Sequence, residues 1–147
     1  MANGMTNKEY GDYVEKKAPK SHIVRNTWHA FIIGGLICCL GECFTLLFKH
    51  CGAEEDAAKL LSSVALIFLG SALTALHVYD KLAKLAGAGT LVPITGFANS
   101  ITSPAMEFKF EGLICGMGAK MFIIAGPVLV YGVTSSVLFG VIHWFLR

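Results

Sequence analysis

The sequence predicts an all-α polytopic membrane protein. Three full transmembrane helices are expected, with a glycine- and proline-broken segment between the second and the last that forms a re-entrant or short membrane helix. Three observations carry this. Hydrophobic residues make up 54% of the 147 residues and charged residues 15%, where a soluble domain has about 25% charged. Mean hydropathy is +0.61. The charges are also segregated: Glu42 alone falls between Asn26 and Phe48, and none falls in 60–79, 85–106 or 121–146. Each run is near the roughly 20 apolar residues that cross a bilayer. This pattern excludes a disordered tail protein, a collagen-like chain and a typical soluble enzyme. It also leaves no length for a soluble catalytic domain beside the membrane part.

Residues 1–25 form a polar N-terminal segment, and 26–147 a single membrane domain. In the first, Tyr10, Tyr13 and Val14 stand at helical spacing, which predicts a short interfacial helix ended by Pro19. Lys16, Lys17, Lys20 and Arg25 then crowd against the first span, Thr27 to Phe48. That span lies behind a long charged segment and has Ile37 before Cys38, where a lipoprotein site needs a small residue. It therefore reads as an uncleaved helix and not a signal peptide. The first loop, 49–59, sets Lys49 and Lys59 against Glu54, Glu55 and Asp56. The positive-inside rule places the N-terminus in the cytoplasm. The second span is expected from Leu60 to Tyr79, with Lys81 and Lys84 on the return side. The last runs from Lys120 to Phe145, with Trp144 as an interfacial anchor.

Residues 85–106, LAGAGTLVPITGFANSITSPAM, carry no charge but hold Gly87, Gly89, Gly96, Pro93 and Pro104 among Thr, Ser and Asn. Proline removes a backbone hydrogen bond and interior glycine weakens a helix. Broken backbone survives at membrane depth only where protein buries it or it lines a wet cavity. A re-entrant or broken helix is favoured here over a fourth full span or a surface loop. Beyond the MEFKFEG break, Gly112 and Gly116 are spaced for close helix contact. So are Gly132, Ser136 and Gly140 on the last span, a candidate contact face for another helix of this chain or a neighbour's.

Few residues invite chemistry. Glu42 is the one intramembrane acid. It is either a pathway carboxylate or a group near the outer end of its span that reaches headgroup water. His77 and Asp80 share a helical face, and an interfacial histidine is favoured there over a proton relay. Cys38, Cys39, Cys43, Cys51 and Cys115 read as small apolar packing residues. Cys39 and Cys43 lack a third ligand, so no metal and no cofactor is expected. No nucleophile elbow, zinc helix or phosphate loop is present, and no catalytic residue or enzyme activity is expected. The net charge of +2 says little about partners, and no nucleic acid is expected among them.

The segment VYDKLAKLAGAGTLVPITGFANSI, residues 78–101, resembles the hallmark of the SpoVA proteins of spore-forming bacteria. The resemblance continues through SPAMEFKFEG (103–112) and GMGAKMFIIAGPVLVYGV (116–133), and FIIGGLICCLGE (31–42) matches at the first span. The basic KKAPK (16–20) and the segment SPAMEFKF point to different members of the family. Glu42 departs from the pattern, in which Gln is common, so no charge-based role carries over to it. The resemblance implies an integral protein of the spore inner membrane that moves dipicolinic acid, with Ca2+, during sporulation and germination, gated by membrane tension. It also implies assembly with other SpoVA proteins or with copies of itself. On that reading Thr90, Pro93, Thr95, Asn99 and Ser100 are candidate pathway-lining residues, and Gly87, Gly89 and Gly96 candidate hinges. The alternative is a non-conducting structural or assembly subunit of a larger translocation complex.

Overall fold

Local capping explains where the first helix begins and where the next two end. The computed structural model describes residues 6–17 and 21–147. Helix α1 (Asn7–Lys17) opens on a reciprocal capping box. The Thr6 N–H donates to the Glu9 carboxylate at 2.8 Å, and the Glu9 N–H reaches Thr6 Oγ1 at 3.4 Å. The bonds from Thr6 hold the Glu9 carboxyl below its ordinary value. Tyr10, Tyr13 and Val14 are exposed on this helix, and Pro19 lies outside the described residues.

Helix α2 (Ile23–His50) is about 42 Å long at 1.5 Å per residue. It ends in a Schellman motif: Ala53 N–H donates to Phe48 C=O, Gly52 N–H donates to Lys49 C=O, and Gly52 takes φ +93°. Helix α3 (Glu55–Ala75) departs from the expected span at both ends. It starts five residues before Leu60, because Glu55 and Asp56 suit the positive end of a helix and Lys59 pairs with Glu55 at 2.9 Å. It stops before Tyr79, because a second Schellman motif forms with His77 at φ +56°. There Val78 N–H donates to Leu73 C=O and His77 N–H to Thr74 C=O, both at 2.9 Å. Glycine normally marks this position, so the stop is silent in the sequence.

α2 and α3 pack as a hairpin with Gly41 at the contact. Ser62 Oγ and Thr45 Oγ1 both donate to its carbonyl, at 2.7 and 3.0 Å. Helix α4 (Tyr79–Ala86) follows the His77 turn. Gly87, at φ +51° and ψ −119°, then redirects the chain into the single turn α5 (Ala88–Leu91). Only glycine adopts that conformation readily. After a break at Val92–Pro93 comes α6 (Ile94–Glu107).

The segment is therefore a broken helix, as expected. At 14 residues, or about 21 Å, α6 is too short to cross about 30 Å of hydrocarbon. The fourth-span alternative falls on that length. The surface-loop alternative falls because Gly89, Thr90, Thr95, Gly96 and Ala98 are buried.

A 3-10 turn (Lys109–Glu111) and a π-helical turn (Leu113–Gly118) lead into α7 (Ala119–Leu146). Gly112 and Gly116 do not form the helix contact their spacing suggested. Gly112 takes φ +98° in the turn, and Gly116 is crowded by Glu111 of its own loop. Three helices are long and apolar enough to span a membrane: Ile23–His50, Glu55–Ala75 and Leu113–Leu146. Their large apolar side chains point outward. The buried apolar residues among those described are Ala58, Tyr79, Ala86, Ala98 and Ala125. Small side chains inside and large ones outside are what helix packing in lipid requires, because lipid tails solvate leucine as well as a protein core does.

Candidate functional site

The broken segment sits in the angle between α2 and α3 because small residues allow backbone to touch backbone there. A side chain at Gly34 of α2 would stand 3.2 Å from the Gly89 carbonyl of α5. One at Gly89 would run into Ala30. On the other side, a side chain at Gly70 of α3 would stand 3.0 Å from the Thr95 carbonyl of α6. Gly96 closes the break itself, since a side chain there would strike the Thr90 and Leu91 carbonyls. Of the three candidate hinges, Gly87 occupies a glycine-only turn, whereas Gly89 and Gly96 mark close approaches.

The depth of the break follows from its neighbours. Val92 and Pro93 line one groove with Gly34, Gly35 and Cys38. Those residues lie 11 to 15 positions inside α2, which begins at Ile23, or about 16 to 22 Å along it. The break is thus near the middle of a 28-residue helix, where unpaired backbone groups need partners from the protein.

A polar seam supplies them. Tyr79, 2% exposed, places its hydroxyl 2.8 Å from the Thr90 carbonyl and 3.0 Å from Thr95 Oγ1. A carbonyl can only accept, so Tyr79 donates to Thr90 and accepts from the Thr95 hydroxyl. Thr90 Oγ1 donates to Gly87 C=O at 3.0 Å. Thr74 Oγ1 donates to Gly70 C=O at 2.7 Å and lies 2.9 Å from the Asn99 amide group. Thr102 and Ser71 hydroxyls meet at 3.0 Å. These bonds and the close approach of Thr95 to Gly70 pack α6 against the C-terminal part of α3. No buried side-chain nitrogen or oxygen among the described residues lacks a partner.

The candidate pathway residues therefore divide. Thr90 and Thr95 are buried and bonded inside the seam. Pro93 and Asn99 are half-buried, and Ser100 turns its hydroxyl back to the Phe97 carbonyl at 2.7 Å. Beyond them, an open groove of about 510 Å³ lies where α2 meets α4 and α5, with Ser21, Asn26, Thr27, Lys84 and Gly87 on its walls.

The remaining candidates lie elsewhere. Glu42 is exposed on the outer face of α2, turned from the Gly41–Thr45 contact. It sits eight residues before the end of α2, at His50, about 12 Å along the helix axis. A helix of about 42 Å centred on a core of about 30 Å overhangs it by about 6 Å at each end, which puts the Glu42 backbone about 6 Å inside the nearer edge of the hydrocarbon. All five cysteines are free and exposed, which corrects the packing role expected for them. They are small apolar residues on outward faces. Among the described residues, no group of three His, Cys, Asp or Glu could hold a metal ion. Gly132 and Gly140 have no heavy atom of another element within 4 Å, and Ser136 bonds back to Gly132 C=O at 2.9 Å. Among the described residues, nothing packs against Gly132 or Gly140.

Sequence reasoning missed Tyr79, Thr74 and Gly70. Tyr79 was assigned to the second span as its last residue. A signal was available in the small-residue spacing Gly70–Thr74 on α3, which matches the helix-contact spacing sought on α7.

A family model described as SpoVAC/SpoVAEB sporulation membrane protein matches residues 26–142. The chain is 39% identical over 143 residues to stage V sporulation protein AC of Bacillus subtilis (strain 168), covering 95% of each chain. No solved structure matches it at a significant level.

Proposed function

The chain belongs to the family of SpoVAC/SpoVAEB sporulation membrane proteins, and from that premise we propose that it is a channel subunit for dipicolinic acid, with Ca2+, in the inner membrane of the spore. It acts in sporulation and germination, responds to membrane tension, and keeps its N-terminus in the cytoplasm. The observation that carries this reading is the break at Val92–Pro93, held at mid-depth against α2 and flanked by the bonded hydroxyl and amide groups of Tyr79, Thr95, Thr74 and Asn99. Irregular backbone at that depth is a feature of solute sites in membrane proteins. Thr90, Thr95, Asn99 and Ser100 offer neutral hydrogen-bonding groups to a dicarboxylate once α5 and α6 part. Lys84, in the groove above them, offers the approaching anion a positive charge.

Three spans and a short helix pair are too few to enclose a path for a pyridine dicarboxylate. The subunit therefore works with copies of itself or with other SpoVA proteins, through the Gly132, Ser136 and Gly140 face. The same open face favours a second reading, a non-conducting assembly subunit of a larger complex. Patch-clamp recording of the purified protein in liposomes under rising tension separates the two. Tension-gated current that Thr95→Leu or Asn99→Leu abolishes, with insertion intact, supports the channel. Silence of the inserted wild-type protein supports the assembly subunit, and unchanged flux in both variants removes the path from this segment.

A further inference from the structure

The break between α5 and α6 exposes the carbonyls at the end of α5, because Pro93 lacks an N–H and α6 starts a new helix. One of them, the Thr90 carbonyl, is taken by a side chain from outside the segment. That side chain is Tyr79, brought there by the left-handed turn at His77 (φ +56°), two residues before it. Its hydroxyl is bound from both sides of the break, by the α5 backbone at Thr90 and by the α6 side chain at Thr95. Tyr79 and Thr90 are the largest side chains that are almost wholly buried. No other side chain among those described bonds to both short helices. Gly96 brings α6 directly onto the Thr90 and Leu91 carbonyls, so the gap is shut by contact and held by this one hydroxyl.

We propose that Tyr79 is the positioning residue that clasps the broken segment in its closed arrangement, and that tension opens the path by pulling this hydroxyl away from Thr90 and Thr95. The inference rests on the reading that this segment lies on the solute path. It extends that reading by naming the contact on which gating turns. Parting α5 from α6 frees the Thr95 hydroxyl and the Thr90 carbonyl together: the hydroxyl can then donate to a passing dicarboxylate, and the carbonyl can accept from its water. The closed state needs no charge for this, in keeping with a segment that carries none.

The test uses the full-length protein in liposomes, as wild type, Tyr79→Phe, Thr95→Val and the double variant. Phenylalanine keeps the ring and removes only the hydroxyl. Amide hydrogen exchange of residues 88–98 should quicken about tenfold or more in each single variant, with α2 and α3 unchanged. The double variant should add little, because both changes remove one shared interaction. The tension threshold should fall in both single variants, and in Tyr79→Phe, which leaves every path-lining group in place, at unaltered unitary conductance, a change that general destabilisation would not give. Unchanged exchange at 88–98 overturns the clasp. Faster exchange with an unmoved threshold in a conducting protein overturns its role in gating. Should wild type carry no current while Tyr79→Phe still quickens exchange at 88–98, the channel reading has failed and the clasp stands as a structural contact. If Tyr79→Phe does not fold, Thr95→Val alone reads both arms.

Discussion

Two regions of equal greasiness behave in opposite ways. In α2 to α6, glycines are used up inside the chain: Gly34, Gly70, Gly89 and Gly96 each have another element's backbone where a side chain would go. In α7, Gly126, Gly132 and Gly140 face open space, and past Gly126 every residue of the helix is exposed. Hydropathy does not separate them, since α2 and α7 have similar values as spans, 2.2 and 2.0. What differs is whether hydroxyls accompany the glycines and meet across the contact. Thr74, Thr95, Asn99, Ser71 and Thr102 do so in the first region. Ser136 in the second turns back onto its own helix. The packed half reads as a finished unit and α7 as a helix awaiting lipid or a neighbour.

The comparison breaks most visibly at Gly96. Gly96→Leu drives a side chain into two carbonyls and should cost about 3 kcal/mol of stability, read by reversible unfolding in detergent. Gly126→Leu should stay within about 0.5 kcal/mol, as open surface positions do. Equal costs would erase the distinction between the regions. Next in size is the seam. Thr74→Val leaves the Asn99 amide without its partner and should cost about 1 to 2 kcal/mol. Pairing it with Asn99→Leu should restore part of that loss in a double-mutant cycle, and full additivity would show that the two groups do not interact.

A smaller effect sharpens the boundary of the packed half. His77 occupies the left-handed position that Gly52 fills at the end of α2. His77→Gly relieves the side-chain penalty but frees the unfolded chain, so a net gain of about 0.5 kcal/mol is expected. His77→Val should lose about 1 kcal/mol, and a gain there would mean that the turn does not form. The least effect on the subunit itself, and the most informative for assembly, is Gly132→Leu with Gly140→Leu. Stability of the single chain should not move, whereas the oligomer seen by cross-linking in liposomes should be lost. A wild-type oligomer in the double variant would give this face to lipid.

Much of the fold was legible along the chain. Charge segregation places three spans, and the Gly/Pro content of 85–106 gives a broken short helix in place of a fourth. The errors sit at helix ends. Charged Glu55 and Asp56 extend α3 outward because the positive end of the helix dipole favours acids there. His77 ends it because a residue other than glycine takes a left-handed turn. Of the candidate site, the hydroxyls were found but not their arrangement: Tyr79 takes the Thr95 hydroxyl and the Thr90 backbone carbonyl, and the Thr90 hydroxyl turns to Gly87.

Composition settles which segments enter the membrane, since transfer from water to lipid sums over residues and does not depend on their neighbours. It also settles that 85–106 cannot be a regular lipid-facing helix, because proline and glycine act on their own backbone. Which glycines meet another helix, and which tyrosine closes the break, was decided only by the tertiary structure. Apart from Gly96, which closes on Thr90 and Leu91 nearby, those contacts join residues 11 to 59 positions apart. They depend on how each helix is rotated about its axis, a quantity that the sum of hydropathies does not contain.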